Sequence, residues 1–192
     1  MDNIINLWIF ITLMVGTPGP ANLLLMSAGS RFGWSANISF IAGLVMGKLC
    51  LNTAMAFGLG SLLLSWPTLA TVTKFISAAY IIYLALRSWN QSSRTPVEQR
   101  ALGFINGLWV HPLSPKTWVM STIAFTQFGP GLGAPPQQWL IIAGSFLLIQ
   151  IAGHNIWCFA GALLDRALGH VMWLQNALVI LTIAVTLWAV SL

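Results

Sequence analysis

Long stretches without charged side chains limit the folds open to this chain more than any other feature. The stretches long enough to hold a membrane span are residues 3–30, 49–73, 117–164 and 167–192. Each can hold a helix of about 20 apolar residues, the length that crosses a bilayer core. Only 6% of the 192 residues are charged and 57% are hydrophobic, whereas a soluble domain carries about 25% charged residues. We therefore expect a membrane protein without a soluble domain that could work alone.

The hydrophobic pattern predicts six apolar segments, three of which contain one lysine each. Residues 128–137 are dense in Gly and Pro and split the longest stretch into two. All six segments should be helical, because lipid offers no partners to backbone polar groups. The predicted spans are Ile4–Met26, Asn37–Leu64, Leu69–Leu86, Phe104–Thr126, Trp139–Leu163 and Met172–Val190.

The basic residues predict the orientation of these spans. Arg31 lies between spans 1 and 2, three arginines lie around spans 3 and 4, and Arg166 lies between spans 5 and 6. Because cytoplasmic loops are enriched in Lys and Arg, both termini are predicted to lie outside. The net charge of +5 is scattered over these loops, so it indicates topology and no nucleic-acid partner.

The whole chain, residues 1–192, reads as one transmembrane domain made of two halves of three spans. Repeat 1 covers about residues 1–89, a cytoplasmic linker about 90–102, and repeat 2 about 103–192. Thr17–Pro20 interrupts span 1 and Pro112–Lys116 interrupts span 4. Gly/Pro-interrupted helices at matching places in inverted halves are typical of transporter binding sites. The predicted fold is an all-α integral membrane protein with six transmembrane helices, arranged as two inverted three-helix repeats in which helices 1 and 4 are broken.

The Thr17-Pro18-Gly19-Pro20 motif is the most informative local feature. Its prolines lack backbone donors and obstruct the helical hydrogen-bond ladder. A half-helix that begins near Ala21 would direct its positive end at an anion, and a carboxylate suits it. The alternative interpretation is a proline kink used for packing.

Two lysines lie at membrane depth, Lys48 in span 2 and Lys116 after the second break. A cation there costs about 2.5–3.5 kcal/mol, so such residues tend to face the bundle interior or a water-filled cavity. Lys48 and Asn52 share a helix face because they are four residues apart. Lys48 could instead extend to the cytoplasmic interface, and the sequence leaves this choice open.

His154 is a titrating group deep in a span, and no Asp or Glu lies inside any predicted span. It is therefore the candidate for proton coupling, the alternative being a hydrogen bond between helices. Gly43 and Gly47 form a GxxxG motif, which permits close helix contact within the chain or in a homodimer.

No enzyme signature is present: the chain has no HExxH, GxSxG or P-loop sequence and no carboxylate pair. The three histidines are far apart in sequence and acids are few. We therefore predict neither an enzyme nor a metal or cofactor site.

The chain resembles the LysE/RhtB (lysine exporter) family of bacterial amino-acid efflux proteins over nearly its whole length. The residues that carry the resemblance are Thr17–Pro20, the glycines Gly43, Gly47, Gly58 and Gly60, the block Ala78–Arg87, and Ser114-Pro115-Lys116, where the family has Asn-Pro-Lys. The resemblance implies a secondary exporter of amino acids or related metabolites in the bacterial cytoplasmic membrane, driven by the proton gradient.

One departure from the family pattern bears on the substrate. Members that export lysine or arginine tend to carry acids where this chain has Lys48 and, less surely, Met120. A cationic side chain would meet a like charge there, so we expect a small neutral or anionic amino acid, bound by its carboxylate. The residues expected to bind it are Thr17, Pro18, Gly19, Pro20, Asn22, Lys48, Asn52, Ser114, Pro115 and Lys116.

A membrane scaffold or accessory subunit that transports nothing is the alternative function. The GxxxG motif and the proline kinks would then serve helix packing alone. Transport by the purified protein in liposomes separates the two.

Overall fold

The computed structural model describes residues 2–58, 65–89, 101–169 and 172–191, and these residues form helices without any strand. The α-helices are α1 (Asp2–Gly16), α2 (Pro20–Phe32), α3 (Ile38–Ala56), α4 (Pro67–Trp89), α5 (Phe104–Val110), α6 (Pro115–Ile123), α7 (Pro135–Leu168) and α8 (Met172–Ser191). Short 3-10 turns lie at Ser35–Asn37 and Gly129–Leu132, and a π-helical turn covers Ala124–Phe128.

Several of these helices suit a membrane. Three segments are long and apolar enough to cross one: Ser35–Ala56, Pro135–Leu168 and Met172–Ala189. The pair α1 and α2 makes a fourth if it is counted as one bent span. The outer faces carry large apolar side chains, for example Leu13, Ile156 and Trp188, each more than 60% exposed. Such faces suit lipid rather than water, so the prediction of an all-helical membrane protein is confirmed, whereas six complete spans stay a prediction.

The helix breaks lie where the sequence placed them. The axes of α1 and α2 differ by 55° across Thr17–Gly19, and residues 111–114 separate α5 from α6. In both places a proline opens the second half-helix, where its missing N–H leaves no helical hydrogen bond unmade.

Some predicted boundaries differ from the observed ones. The second predicted span corresponds to α3, which ends at Ala56 and so is shorter than the predicted Asn37–Leu64. Residues 59–64 lie outside the described part. Helix α7 extends beyond the predicted Trp139–Leu163 at both ends, to Pro135–Leu168. It can begin early because the Gln137 side chain accepts from the Ala134 N–H at 3.1 Å, and it stops where Gly169 adopts a left-handed conformation (φ 79°). Most of the predicted linker, residues 90–100, lies outside the described residues.

Glycines bring two pairs of helices together backbone to backbone. A Cβ atom at Gly29 of α2 would overlap the Cys158 carbonyl of α7, and one at Gly161 of α7 would overlap the Met26 carbonyl of α2. Helices α3 and α5 meet in the same way. A Cβ atom at Gly43 or Gly47 of α3 would overlap the carbonyl of Phe104 or Leu108, respectively, and one at Gly107 of α5 would overlap the Phe40 carbonyl. The GxxxG motif is therefore used within the chain, and the possible homodimer stays a prediction.

The remaining helices complete the bundle around these pairs. Helix α4 packs on α8, which also contacts α2. A buried cluster of side chains joins α1, α6 and α7, with Leu7, Met120 and Phe146 among its members. This packing leaves the two helix breaks facing each other.

Candidate functional site

Lys116 joins the two helix breaks. Its Nζ atom donates to the Thr17 hydroxyl oxygen at 2.8 Å, across the gap between the α1–α2 break and the start of α6. The Thr17 hydroxyl in turn donates to the Met14 carbonyl at 2.9 Å. The two interruptions, 99 residues apart in sequence, therefore form one site.

Side chains satisfy the carbonyl groups that the first break exposes. The Asn22 Nδ2 amide donates to the carbonyls of Val15 at 2.7 Å and Thr17 at 3.0 Å. These carbonyls lie at the end of α1, where an uninterrupted helix would bond them to backbone amides. Asn22 thus fixes the angle between α1 and α2.

The second break is held in a similar manner. The Thr117 hydroxyl lies 2.6 Å from the His111 carbonyl oxygen and 2.7 Å from that of Ser114. The Trp118 indole N–H donates to the Pro112 carbonyl at 2.7 Å. Because both breaks are stabilised by side chains, they are defined structures rather than frayed helix ends.

Positive potential concentrates where the breaks meet. Helices α2 and α6 begin here, after Gly19 and Ser114 in extended conformation, and the N-terminal end of a helix attracts anions. The ammonium group of Lys116 adds a full charge at the same place. This arrangement suits a carboxylate.

Two cavities border the Lys116–Thr17 contact. The smaller has a volume of about 30 Å³ and the larger about 420 Å³. Both are lined by Gly19, Pro20, Ser114 and Lys116. The larger is also lined by Thr17, Pro18, Pro115, residues of α4 that include Lys74, and residues of α8. Among the described residues, no Asp or Glu lines either cavity.

Lys48 and Asn52 belong to a buried polar cluster beside the site. The Lys48 Nζ atom donates to the Ser121 hydroxyl at 2.6 Å and to the Thr117 carbonyl at 3.2 Å. Ser121 donates to the Asn52 Oδ1 atom at 2.8 Å. Lys48 also lies over the Phe146 ring, 4.1 Å from its centroid. Helix α3 is thereby linked to α6, and Lys48 points into the bundle rather than to an interface.

A pair of histidines borders the smaller cavity. The Nε2 atoms of His111 and His154 are 3.0 Å apart, and their rings stack with centroids 5.2 Å apart. His111 ends α5 and His154 lies on α7. Both rings line the smaller cavity together with Gln150.

Most of the residues expected from the sequence to bind substrate are brought together. Those at the two breaks line one or both cavities, Asn22 and His154 line the smaller one, and Lys48 and Asn52 line neither. The sequence interpretation missed His111 and Lys74 as lining residues. The position of His111, directly before Pro112, could have placed it at the break. No group of three or more potential metal ligands occurs among the described residues.

Comparison with known proteins adds a family. The model of the LysE type translocator family matches residues 11–192. The chain is 29% identical over 171 residues to a cysteine/O-acetylserine efflux protein of Salmonella typhimurium, covering 85% of this chain and 84% of that protein. It is 27% identical over 154 residues to an uncharacterised membrane protein of Bacillus subtilis, covering 72% and 73%. No solved structure gives a significant match.

Proposed function

Because the chain belongs to the LysE type translocator family, we propose that it is a secondary transporter that exports a small neutral or anionic amino acid, or a derivative of one, from the cytoplasm. The proton gradient drives export in this proposal. Cysteine and O-acetylserine, named for the Salmonella relatives, are small neutral zwitterions and the first substrates to test.

The convergence of Lys116 with two half-helix N-termini is the observation that carries this proposal. A substrate carboxylate would replace the Thr17 hydroxyl as the partner of Lys116, because an ammonium group attracts a negatively charged acceptor more strongly than a neutral hydroxyl. The backbone N–H groups that open α2 would add further donors. An ionisable residue within the membrane-spanning part of a protein is by default a functional-site hypothesis, and the partner of Lys116 among the described residues is the neutral Thr17.

The charges around the site support a preference against basic amino acids. Lys116 and Lys74 both line the larger cavity, where no described acid is present. The second positive charge of a lysine or arginine substrate would therefore meet like charges and no counter-ion.

The packing supports two inverted repeats that work by alternating access. Helix α2, from the first half, packs on α7, and α5, from the second half, packs on α3, so each broken helix lies on the second helix of the opposite half. Substrate sites of such transporters lie between the repeats. The larger cavity borders Lys74 near the start of α4 and Trp188 near the end of α8, the ends that the predicted topology places outside. In this proposal both termini lie outside the cytoplasmic membrane of a bacterium and the structure represents an outward-facing state.

Lys48 and Asn52 are connected to the proposed site indirectly, through their contacts with α6. Lys48 holds the Thr117 carbonyl, one residue after Lys116. Contact with the substrate would require α6 to move, so we propose that these two residues act in the alternate state.

Reconstitution tests the proposal. Purified protein in liposomes should release preloaded labelled O-acetylserine faster when a proton gradient is imposed, and lysine should leave much more slowly. Pro20→Ala and Lys116→Met should abolish release while the protein still inserts. A chain that releases none of cysteine, O-acetylserine and serine when it is alone in the bilayer would be the scaffold of the alternative hypothesis.

A further inference from the structure

We infer that His111, His154 and Gln150 form an acceptor site that takes either one proton or the ammonium group of the substrate, so that one proton is exchanged for each substrate exported. This inference deepens the proposed export function and rests on it. It assigns the amino end of the substrate to the smaller cavity and the carboxyl end to Lys116.

The geometry of the histidine pair limits it to binding one additional proton. With the Nε2 atoms 3.0 Å apart, one ring donates its Nε2–H and the other accepts with its lone pair. In the neutral pair, the donor ring has a free lone pair at Nδ1, and the acceptor ring carries a hydrogen at Nδ1. One further proton can therefore bind, at the Nδ1 lone pair of the donor ring. A second has no lone pair to bind while the hydrogen bond persists.

Three polar atoms in this region lack a partner among the described residues. They are the Nδ1 atoms of His111 and His154 and the Oε1 atom of Gln150, all in side chains at most 3% exposed. A buried polar atom without a partner destabilises the folded protein, and each such atom in a native protein calls for an explanation. Two of the three accept hydrogen bonds, the Gln150 oxygen and one Nδ1 lone pair. An ammonium group, which has three donors and no acceptor, suits them.

The cavity sets the distance between the two ends of the substrate. The rings of the pair, Gln150 and Lys116 line the same cavity of about 30 Å³, the space of about one water molecule. The carboxylate and ammonium groups of an amino acid are attached to one carbon atom, so they need a cationic donor and neutral acceptors within a few ångströms of each other. Lys116 and the side chains of the pair and Gln150 all line this one small cavity, which is the observation that places both kinds of group around one substrate.

Because of the surrounding charges, the histidine pair binds either a proton or the substrate ammonium group and not both. The cationic groups near the pair are Lys48 from α3 and Lys116 from α6, while α1 and α2 contribute no titratable side chain to the lining. A proton and an ammonium group together would bring four positive charges to this region, and no described carboxylate lines the cavity to balance them. The Nδ1 lone pair either forms an N–H bond with a proton from water or accepts a hydrogen bond from the ammonium. Release of that proton breaks the same N–H bond and restores the lone pair.

The pH dependence of substrate binding tests this inference. Binding of labelled O-acetylserine to purified protein should weaken tenfold for each pH unit on the acidic side of the profile, because one proton competes with one substrate. His111→Gln and His154→Gln should flatten this profile, and proteoliposomes with either variant should no longer take up a proton for each O-acetylserine released. Cys158→Ala, buried on the same helix one turn from His154, should keep the slope of the wild-type protein.

Several results would overturn the inference. A slope of two, or an unchanged slope in both histidine variants, would show that the pair is not the site of competition. If a histidine variant does not bind the substrate at all, the ¹⁵N NMR spectrum of the histidine pair in protein that keeps both histidines decides. With ¹⁵N-labelled histidine in a His170→Gln background, the two Nε2 nuclei should show scalar coupling across their hydrogen bond, and its absence would refute the geometry. Wild-type protein that transports none of the tested amino acids would instead contradict the proposed export function.

Discussion

Replacement of Lys116 by methionine is the sharpest test of carboxylate binding. Methionine keeps most of the length and apolar stem of the side chain and removes the charge that now bonds Thr17 at 2.8 Å. A hydrogen bond to a charged group contributes about 1.5–3 kcal/mol. The bond to the carboxylate lies at the upper end of this range, and the bond to Thr17 that it replaces lies at the lower end. The net loss of about 1.5 kcal/mol corresponds to roughly tenfold weaker binding.

The assay is equilibrium binding of labelled O-acetylserine to purified protein, with Thr17→Val as the matched control. Removal of the Thr17 hydroxyl takes away the group that competes for Lys116, so by the same figures this variant should bind up to about tenfold more tightly than the wild-type protein, and not more weakly. Lys116→Arg keeps the charge and should lose less affinity than Lys116→Met. If Lys116→Met binds within twofold of the wild-type protein, Lys116 does not hold the carboxylate.

Three further predictions follow from contacts elsewhere in the bundle. Gly161→Ala should lower the melting temperature in detergent by several degrees, because the added Cβ would overlap the backbone of α2. Gly144→Ala, with nothing within 4 Å of the added atom, should leave the melting temperature unchanged. Equal melting temperatures of the two variants would contradict the backbone contact. Asn22→Ala should destabilise the protein by about 1–3 kcal/mol, since the Val15 and Thr17 carbonyls lose the donor that Asn22 supplies. Unfolding of the variant in denaturant measures this loss. Lys48→Met should reduce O-acetylserine affinity less than Lys116→Met does, because Lys48 lines neither cavity; an equal loss in the binding assay would place Lys48 at the substrate.

The sequence predicted those features that depend on local chemistry. Proline in a helix interior lacks the N–H donor and clashes with the preceding turn, so the breaks at Thr17–Pro20 and before Pro115 could be located without a structure. The apolar composition predicted the helices in the same direct way.

Features that depend on which helix faces meet could not be predicted. Nothing in the sequence shows that residues 43 positions apart, His111 and His154, lie 3.0 Å from each other, because this contact depends on the rotation and height of α7 relative to α5. The same holds for the GxxxG motif, whose pattern permits a close contact but does not name the partner. Lys48 was ambiguous for a related reason, since its long side chain could reach an interface or, as observed, Ser121.

The glycine contacts have a consequence for movement within the protein. Backbones that touch without intervening side chains have no room to slide, since close-packed interiors shift between discrete arrangements rather than deform continuously. A rearrangement that keeps these contacts must move α2 together with α7 and α3 together with α5, as two rigid bodies. The hydrogen bond between His111, at the end of α5, and His154, on α7, then connects the two rigid bodies. In the proposed proton exchange, the proton binds at this connection.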